Sequence, residues 1–264
     1  MSKTVAGAIL ALSNLLTRPL KAQRRWLAKA RVIEGFYQNI PVETDRGTLL
    51  FHITNRQTLK CPIEFDNYEP DTLNWIKGFP EGAVLWDIGA NIGLLSLYAA
   101  ARPDVRVSAF EPAASTYAVL VKNIEINHMS DRISAYCIAF SDETKCGSLN
   151  MATTEAGSFL HAFDDDTNVH DETIDVLFAQ SCIGFTIDEF TRLFNPPSPS
   201  HVKIDVDSTE SLIIEGGKGL LGGAGVQSVY IEMEGSLERE RNLLILRQME
   251  GLGYTAQPMV SEKQ

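Results

Sequence analysis

Cysteine is scarce in this sequence, and so is any excess of positive charge. The 264 residues include four cysteines, with no CxxC pair and no spacing typical of a metal site. Because Cys137 falls in a predicted buried strand, we expect Cys61, Cys137, Cys146 and Cys182 to be reduced thiols of an intracellular protein. The formal charge of −11 disfavours tight binding to nucleic acid, whose phosphates favour a basic protein surface.

Long hydrophobic runs are also missing. The most apolar stretch, TVAGAILALSNLL at 4–16, is too short to span a bilayer, and no small-residue cleavage pattern follows it. We therefore predict a short amphipathic helix there. A second helix is predicted to follow, with Pro19 in its first turn.

The charge that is present is distributed unevenly. Residues 1–35 hold seven basic residues and one acidic residue, a net charge of +6, which leaves −17 for the rest of the chain. We predict a basic helical leader at 1–35 that is separable from the fold. Its residues 1–33 are expected to make weak contact with a membrane or a partner protein. We therefore expect a cytoplasmic protein that is at most peripheral to a membrane. A plain solvated helix is the competing interpretation.

Strands and helices alternate along most of the remaining sequence. A hairpin within 40–54 and a helix at 68–79 make up a segment at 36–80, ahead of a core domain at 81–264. Core strands are predicted at 84–88, 106–110, 133–138, 202–206 and 227–232, and core helices at 93–101, 114–126, 186–194, 208–221 and 237–250. The alternation predicts an α/β fold with a doubly wound, mostly parallel, Rossmann-like sheet, whose ligand lies beyond the C-terminal ends of the strands.

One region of the core breaks this alternation. Within 141–181 no strand–helix repeat is visible, and the stretch HAFDDDTNVHDET at 161–173 is strongly acidic. It predicts a mobile acidic surface loop, and its place on the ligand side of the sheet suits a substrate lid. A metal site is the less favoured interpretation of its aspartates and histidines.

The sequence also lacks the G-x-G-x-x-G turn of a nicotinamide dinucleotide site. Its stretch VLWDIGANIGLLSLYAA has Gly89 and Gly93 but places Asn91 where the middle glycine belongs, and Asp87 precedes the turn. A carboxylate at that place opposes a phosphate but can receive an ammonium group, and S-adenosylmethionine carries an ammonium group and no phosphate. Glu111, about 20 residues later at the tip of the next strand, is placed to bind ribose hydroxyls. Together these residues predict an S-adenosylmethionine site.

Five fragments of the sequence carry a family resemblance. They are VLWDIGANIGLLSL, AFEPAASTYAVLVKNIEIN, TIDEF, VKIDVDSTESLIIEGGKGLL and SVYIEME, which stand in this order within residues 60–254 together with YEP at 68–70. In content and order they resemble the FkbM-type methyltransferases. The resemblance implies a class I methyltransferase fold and methyl transfer from S-adenosylmethionine, commonly to a hydroxyl oxygen of a sugar or natural product. It also adds Tyr68, Glu69 and Ser141 to the expected cofactor-binding residues.

The sequence departs from the family pattern in two places. The family usually reads K-I-D-x-[DE]-G-x-E, whereas this chain has Ser208 where the glycine belongs. Little sequence follows Gly253, so the last antiparallel strand of the fold is expected to be missing or shortened, although YTAQPMV at 254–260 is one more candidate strand.

A group of charged residues follows the predicted fourth core strand. Methylation of an alcohol requires that the hydroxyl proton be removed as the new bond forms. We predict that Asp205 is the general base, and that Lys203 stabilises oxyanion charge or sets the pKa of Asp205. Glu210 is more simply interpreted as a favourable charge at a helix N-terminus.

A second interpretation of this group involves a metal. Asp205 and Asp207, with Glu232 or Glu234, could hold a hard divalent cation such as Mg²⁺, which would lower the pKa of the hydroxyl. The direct base and the metal remain alternatives at this stage.

The predicted function is O-methylation, by an S-adenosylmethionine-dependent enzyme, of a hydroxyl on a sugar or a small natural product. Methylation of RNA or protein is an alternative, although the acidic body disfavours RNA. A second alternative, outside enzymology, is a regulatory or scaffold module that binds S-adenosylmethionine without turnover.

Overall fold

The computed structural model describes residues 2–36, 38–159, 161–165, 175–233 and 235–257. Two helices that contact each other come first, α1 (Ser2–Thr17) and α2 (Ala22–Phe36). Pro19 lies in the turn between them, so its predicted place inside α2 is wrong. The Arg25 side chain binds the backbone carbonyls of Arg18 and Leu20 and thereby closes that turn ahead of α2. No helix in the described ranges is long and apolar enough to cross a bilayer.

The segment before the core starts with the predicted hairpin. Strands β1 (Gln38–Thr44) and β2 (Gly47–Ile53) pair antiparallel. Three helices follow, namely α3 (Arg56–Ile63), α4 (Phe65–Tyr68) and α5 (Pro70–Lys77), and α5 lies within the helix predicted at 68–79. Pro70 starts a new helix because it has no N–H with which to continue α4. Asn55 begins α3 by accepting a hydrogen bond from the Thr58 N–H at 2.9 Å.

The core contains the predicted alternation. Its first elements are β3 (Val84–Ile88), α6 (Leu94–Ala100), β4 (Arg106–Phe110), α7 (Ala114–Ile126) and β5 (Ile133–Tyr136). Four further strands follow, β6 (Ala139–Phe140), β7 (Lys145–Met151), β8 (His161–Phe163) and β9 (Phe178–Phe185). The last elements are α8 (Ile187–Phe194), β10 (His201–Ile204), α9 (Glu210–Glu215), α10 (Lys218–Leu221), β11 (Ser228–Ile231) and α11 (Glu240–Gly251).

Five strands form the central sheet in the order β11-β10-β3-β4-β5, and all neighbouring strands in it are parallel. Successive residues of a strand point to opposite faces of the sheet, so the apolar side chains on both faces must be packed against helices. On one face Leu85 lies in an apolar cluster with Leu97 of α6 and Leu120 of α7. On the other face Trp86 lies in a cluster with Ile245 of α11. The predicted doubly wound α/β fold is therefore confirmed.

The region 141–181 contains a second sheet, which the sequence did not reveal. Its order is β6-β9-β7-β8, with β7 antiparallel to both of its neighbours. The predicted surface loop at 161–173 is wrong for residues 161–163, which form strand β8. Phe163 of this strand packs in a small apolar cluster with Leu149 and Cys182. Residues 166–174 lie outside the described ranges.

Several boundaries differ from the predicted ones. The helix predicted at 208–221 is two helices, because α9 ends at Glu215; the Gly216 that follows is so close to the Ser141 carbonyl oxygen that a Cβ atom would overlap it. Strand β5 ends at Tyr136, so Cys137 is exposed and not buried in a strand; all four cysteines are free. Residues 254–257 form no strand, and the rest of YTAQPMV lies outside the described ranges.

Candidate functional site

The turn between β3 and α6 is built around two glycines with left-handed backbone. Gly89 has a φ of 82° and Gly93 a φ of 86°. A Cβ atom on Gly89 would overlap the backbone carbonyl oxygen of Asp205, and one on Gly93 would overlap the Leu120 side chain. Only glycine therefore permits the turn to approach its neighbours so closely. Asn91 also has a positive φ, 48°, which asparagine tolerates better than most residues.

Glu111 binds this turn from the next strand of the sheet. It directly follows β4 and is buried. Its Oε2 accepts a hydrogen bond from the Asn91 N–H, and its Oε1 accepts one from the Ala113 N–H, both at 2.9 Å. Burial raises the pKa of Glu111 to about 7, although these two hydrogen bonds act to lower it. The structure thus brings Glu111 beside the turn, as the sequence predicts.

Asp87 lies in β3 and is only 1% exposed. Its Oδ2 accepts a hydrogen bond from the Ser96 hydroxyl of α6 at 2.5 Å. Its Oδ1 has no hydrogen-bond partner within the described part of the chain and lies 3.8 Å from the Nζ of Lys203. Burial raises the pKa of Asp87, whereas Lys203 and Ser96 lower it. A buried acceptor without a donor is costly, so this oxygen calls for a ligand that can donate to it.

These residues fit S-adenosylmethionine. Asp87 offers one unpaired buried oxygen to an ammonium group, and Glu111 retains lone pairs for ribose hydroxyls. The turn that carries Gly89 and Gly93 lies where β3 has β4 on one side and β10 on the other, which is the topological switch point of the sheet. Open α/β sheets bind their ligands at such points, beyond the C-terminal ends of the strands.

Lys203 connects this turn with the predicted base. In the parallel pair β10–β3, Lys203 lies opposite Asp87. Its side chain is buried, and its Nζ lies 2.5 Å from Oδ2 of Asp205. Burial lowers the pKa of Lys203, but Asp205, Glu69 and Asp87 together hold it well above its ordinary value. Lys203 therefore keeps its proton and acts as a fixed buried cation.

Asp205 and Glu232 form a carboxyl pair at the ends of neighbouring strands. Asp205 directly follows β10 and Glu232 directly follows β11, and the Glu232 N–H donates to the Ile204 carbonyl at 3.1 Å. A side-chain hydrogen bond joins the two carboxyl groups, and it raises the pKa of Glu232. Burial raises the pKa of Asp205, but Lys203 and Glu232 outweigh it and hold that pKa below its ordinary value. Asp205 is therefore the more readily ionised carboxyl group of the pair.

Tyr68 and Glu69, which only the family resemblance suggested, both lie near Asp205. Glu69 accepts a hydrogen bond from the Thr72 hydroxyl at 2.9 Å. Burial raises the pKa of Glu69, whereas Lys203 lowers it. Burial also raises the pKa of Tyr68, and the neighbouring Asp205 raises it further. Three carboxyl groups, those of Asp205, Glu69 and Asp87, thus act together to raise the pKa of Lys203.

Ser141 and Glu210 have other surroundings. The Ser141 hydroxyl hydrogen-bonds to the Asp142 carboxylate, and its N–H donates to the Phe185 carbonyl of β9, which places it at the end of β6 in the second sheet. Glu210 lies in the first turn of α9, as its simpler interpretation predicts, and burial raises its pKa to about 7.

The residues predicted as metal ligands do not form a metal-binding group. A hydrogen bond links the Asp205 and Glu232 carboxyl groups, whereas Asp207 accepts a hydrogen bond from the His161 N–H at 3.0 Å. Because β10 ends at Ile204, strand alternation no longer fixes Asp207 on the side of Asp205. Within the ranges that the structure describes, no three His, Cys, Asp or Glu side chains are grouped to hold a metal ion. Glu234 lies outside those ranges.

Sequence reasoning missed two residues that support the site. Ser96, which binds Asp87, is the one polar residue in the helix LLSLYAA, and that position was a signal that could have been read. Gln180 of β9 accepts a hydrogen bond from the Ala114 N–H at 2.9 Å and donates to the Pro112 carbonyl at 2.8 Å, so it holds the loop after Glu111. Nothing in the sequence pointed to Gln180, because its strand was not recognised.

Comparison with known proteins adds a family match. A family model described as the methyltransferase FkbM domain matches residues 87–256. The 31-O-demethyl-FK506 methyltransferase FkbM of Streptomyces tacrolimicus is 28% identical over 144 residues, which are 53% of this chain and 53% of that protein. "Methyltransferase 1" of Beauveria bassiana is 26% identical over 121 residues, 45% of this chain and 48% of that protein. The chain thus spans about half the length of these two curated relatives.

A solved structure is also similar. It is described as methyltransferase FkbM from Methylobacillus flagellatus KT, and the match has 15% sequence identity and a TM-score of 0.45. The match covers 66% of this chain and 38% of that one.

Proposed function

The chain belongs to the FkbM methyltransferase domain family, and from this premise we propose that it transfers a methyl group from S-adenosylmethionine to a hydroxyl oxygen of a sugar or another small natural product. One observation carries the proposal: an oxygen of the buried Asp87 carboxylate accepts no hydrogen bond from the described residues, and Lys203 links this carboxylate to Asp205 at the switch point of the sheet. The name of the Streptomyces relative, which specifies an O-demethyl acceptor, supports oxygen as the methylated atom.

Each residue of the site has a role in this reaction. When bound, S-adenosylmethionine supplies an electrophilic methyl group on a sulfonium. Asp87 would hold the ammonium of the cofactor, and Glu111 would hold its ribose hydroxyls. Asp205 would take the proton of the acceptor hydroxyl during methyl transfer. Lys203 favours the ionised form of Asp205.

Cofactor binding is the first test. Calorimetry should show that the protein binds S-adenosylmethionine or its demethylated product. Glu111→Ala should weaken this binding by about 1–3 kcal/mol, because it removes charged hydrogen bonds to the ribose. Glu143→Ala, which truncates an exposed glutamate, is the matched control and should bind like the wild type. Tight binding of NAD without any binding of S-adenosylmethionine would overturn the proposal.

Turnover is the second test. With labelled methyl donor and a metabolite extract, the label should enter a small product that carries a new O-methyl group. Asp205→Asn should slow this transfer by about 10²–10⁴-fold, as loss of a general base does, with little change in cofactor affinity. Asp207→Asn, which changes a carboxylate bound to the His161 N–H, should keep most of the activity. A near-normal rate for Asp205→Asn would show that Asp205 is only a strand-end carboxylate.

The same assay separates the two alternatives. Label in RNA or protein instead of a small molecule would indicate a macromolecular acceptor. Cofactor binding without transfer to any acceptor would indicate a regulatory module.

A further inference from the structure

The two N-terminal helices expose rows of apolar side chains. In α1 the residues Val5, Ile9, Leu12 and Leu16 recur at spacings of three and four, so they share one face, and each is 44–68% exposed. Asn14 lies on the opposite face of α1 and binds the Lys29 Nζ of α2 at 2.6 Å. Helix α2 therefore contacts α1 away from this apolar row and leaves the row uncovered.

Helix α2 has an exposed apolar face of its own. Trp26, Ile33 and Phe36 follow at spacings of seven and three, which places them on one side of the helix, and they are 67%, 53% and 58% exposed. No described residue of α2 is buried. Single exposed apolar side chains are ordinary on a protein surface, but two adjacent amphipathic helices with uncovered apolar faces indicate a binding surface.

The charge of this pair of helices selects the kind of partner. Residues 1–35 carry a net charge of +6, and the remainder of the chain carries −17. Two copies of the leader would repel each other if they met face to face, whereas an anionic surface attracts the leader and repels the body. An acidic soluble protein would complement the positive charge of the leader, but its charged surface would not bury the apolar rows.

We propose that α1 and α2 form a docking surface for an anionic lipid membrane. The helices lie in the plane of the interface, with their apolar rows inserted among the acyl chains and their basic side chains near the lipid phosphates. They do not cross the bilayer, because neither is long and apolar enough. The division of charge also orients the molecule, since the acidic core domain stays on the aqueous side. This proposal is independent of the methyl-transfer chemistry.

Vesicle flotation of the full chain tests it. The protein should float with vesicles of phosphatidylcholine and phosphatidylglycerol, and not with phosphatidylcholine alone. Arg24→Gln with Arg31→Gln should weaken binding to the anionic vesicles by about 25-fold, because each basic residue near such a surface contributes about 1 kcal/mol. Leu12→Gln with Ile33→Gln should abolish it. The control is Leu243→Gln with Leu244→Gln, which changes exposed apolar residues of α11 and should leave binding unchanged.

Tryptophan fluorescence gives a second readout on the same samples. Trp26 is 67% exposed and Trp86 is fully buried, whereas Trp75 is partly buried and its indole N–H donates to the Ser228 hydroxyl. A blue shift on addition of anionic vesicles is therefore expected from Trp26. A Trp26→Phe variant should lose the shift and keep the cofactor affinity.

Three results would overturn the proposal. The first is equal binding, or none, to both vesicle types by a protein whose circular dichroism shows it to be folded. The second is unchanged binding by the Leu12→Gln, Ile33→Gln variant. The third is a wild-type protein that is a dimer and binds no vesicles, together with a Leu12→Gln, Ile33→Gln variant that is a monomer. That result would assign the apolar rows to contact with a second copy of the chain.

Discussion

Ser208 occupies a backbone conformation that suits glycine, and the family pattern has glycine at this place. Its φ is 110°, a value that an L-residue with a side chain rarely adopts. Ser208→Gly should relieve about 1–2 kcal/mol of backbone strain and cost about 0.5–1 kcal/mol of chain entropy, so we expect the free energy of unfolding to rise slightly. Urea denaturation measures the difference. Asn195→Gly is the control, because asparagine tolerates the φ of 44° found there, and that variant should not gain stability.

The buried Glu111 makes stability depend on pH. Its pKa in the folded protein is raised to about 7 by burial, so the folded state holds this proton more tightly than the unfolded state does. The resulting stability is present below the ordinary pKa of glutamate and is lost as the pH rises towards about 7. Glu111→Gln should therefore remove up to about 3 kcal/mol of the wild-type decline in unfolding free energy between those pH values.

Urea denaturation at a series of pH values provides this measurement. The difference between the wild type and Glu111→Gln is the quantity to compare. The decline of the free energy of unfolding with pH in either protein alone also includes Glu210, because burial raises the pKa of Glu210 to about 7. Glu143→Gln, at an exposed position, should follow the wild type. A Glu111→Gln variant with the same decline would show that Glu111 is already ionised in the folded protein at low pH.

At this scale the sequence predicted residues whose signal is local. Asp87, Gly89 and Glu111 were predicted because each stands at a fixed place near the end of a recognisable strand. The pairing of Asp205 with Glu232 could not be found in that way, since it depends on which strands become neighbours in the sheet. The place of Asp207 shows a related effect: strand alternation would put Asp207 beside Asp205, but the strand ends at Ile204.

The second sheet shows how one element supports another. Gln180 of β9 binds the Ala114 N–H and the Pro112 carbonyl, so it fixes the loop that follows Glu111. Gln180→Ala should weaken cofactor binding about 5- to 10-fold, since two hydrogen bonds that position the loop are lost at about 0.5–1.5 kcal/mol each and the loop is partly held by other contacts. Calorimetry measures this change, and the rate at saturating cofactor should stay near that of the wild type.

Ser181→Ala provides the matched control for Gln180. Ser181 is the next residue of β9 and is exposed, so its truncation should leave cofactor affinity unchanged. A parallel loss of affinity in both variants would assign the effect to β9 as a whole and not to the two hydrogen bonds of Gln180.

The elements of the parallel sheet were predictable, and those of the second sheet were not. β3, β4 and α7 have the predicted bounds because each is a buried apolar run or an amphipathic helix between clear turns. In β7 only the last three residues, LNM, alternate between apolar and polar, and cysteine, glycine and serine precede them. The strand character of β7 therefore comes from its pairing with β9. Such pairing is a tertiary effect that propensity and alternation do not record.

For the whole molecule, the division between a basic leader and an acidic body coincides with a division in burial. Of the described residues 3–36, only Thr17 is buried, and its hydroxyl donates to the Ser13 carbonyl within α1. The leader thus contributes little to the apolar core of the sheet, which lies between the layers from Val42 onward.

Deletion of residues 2–36 tests this division. The shortened protein should keep its free energy of unfolding within about 0.5 kcal/mol, as expected when no buried contact is removed, and its affinity for S-adenosylmethionine should not change. Its binding to anionic vesicles should disappear. Urea denaturation, calorimetry and flotation on one preparation measure all three quantities. A large loss of stability or of cofactor affinity would mean that α1 and α2 belong to the folded core, because burial that the core needs cannot be removed without such a cost.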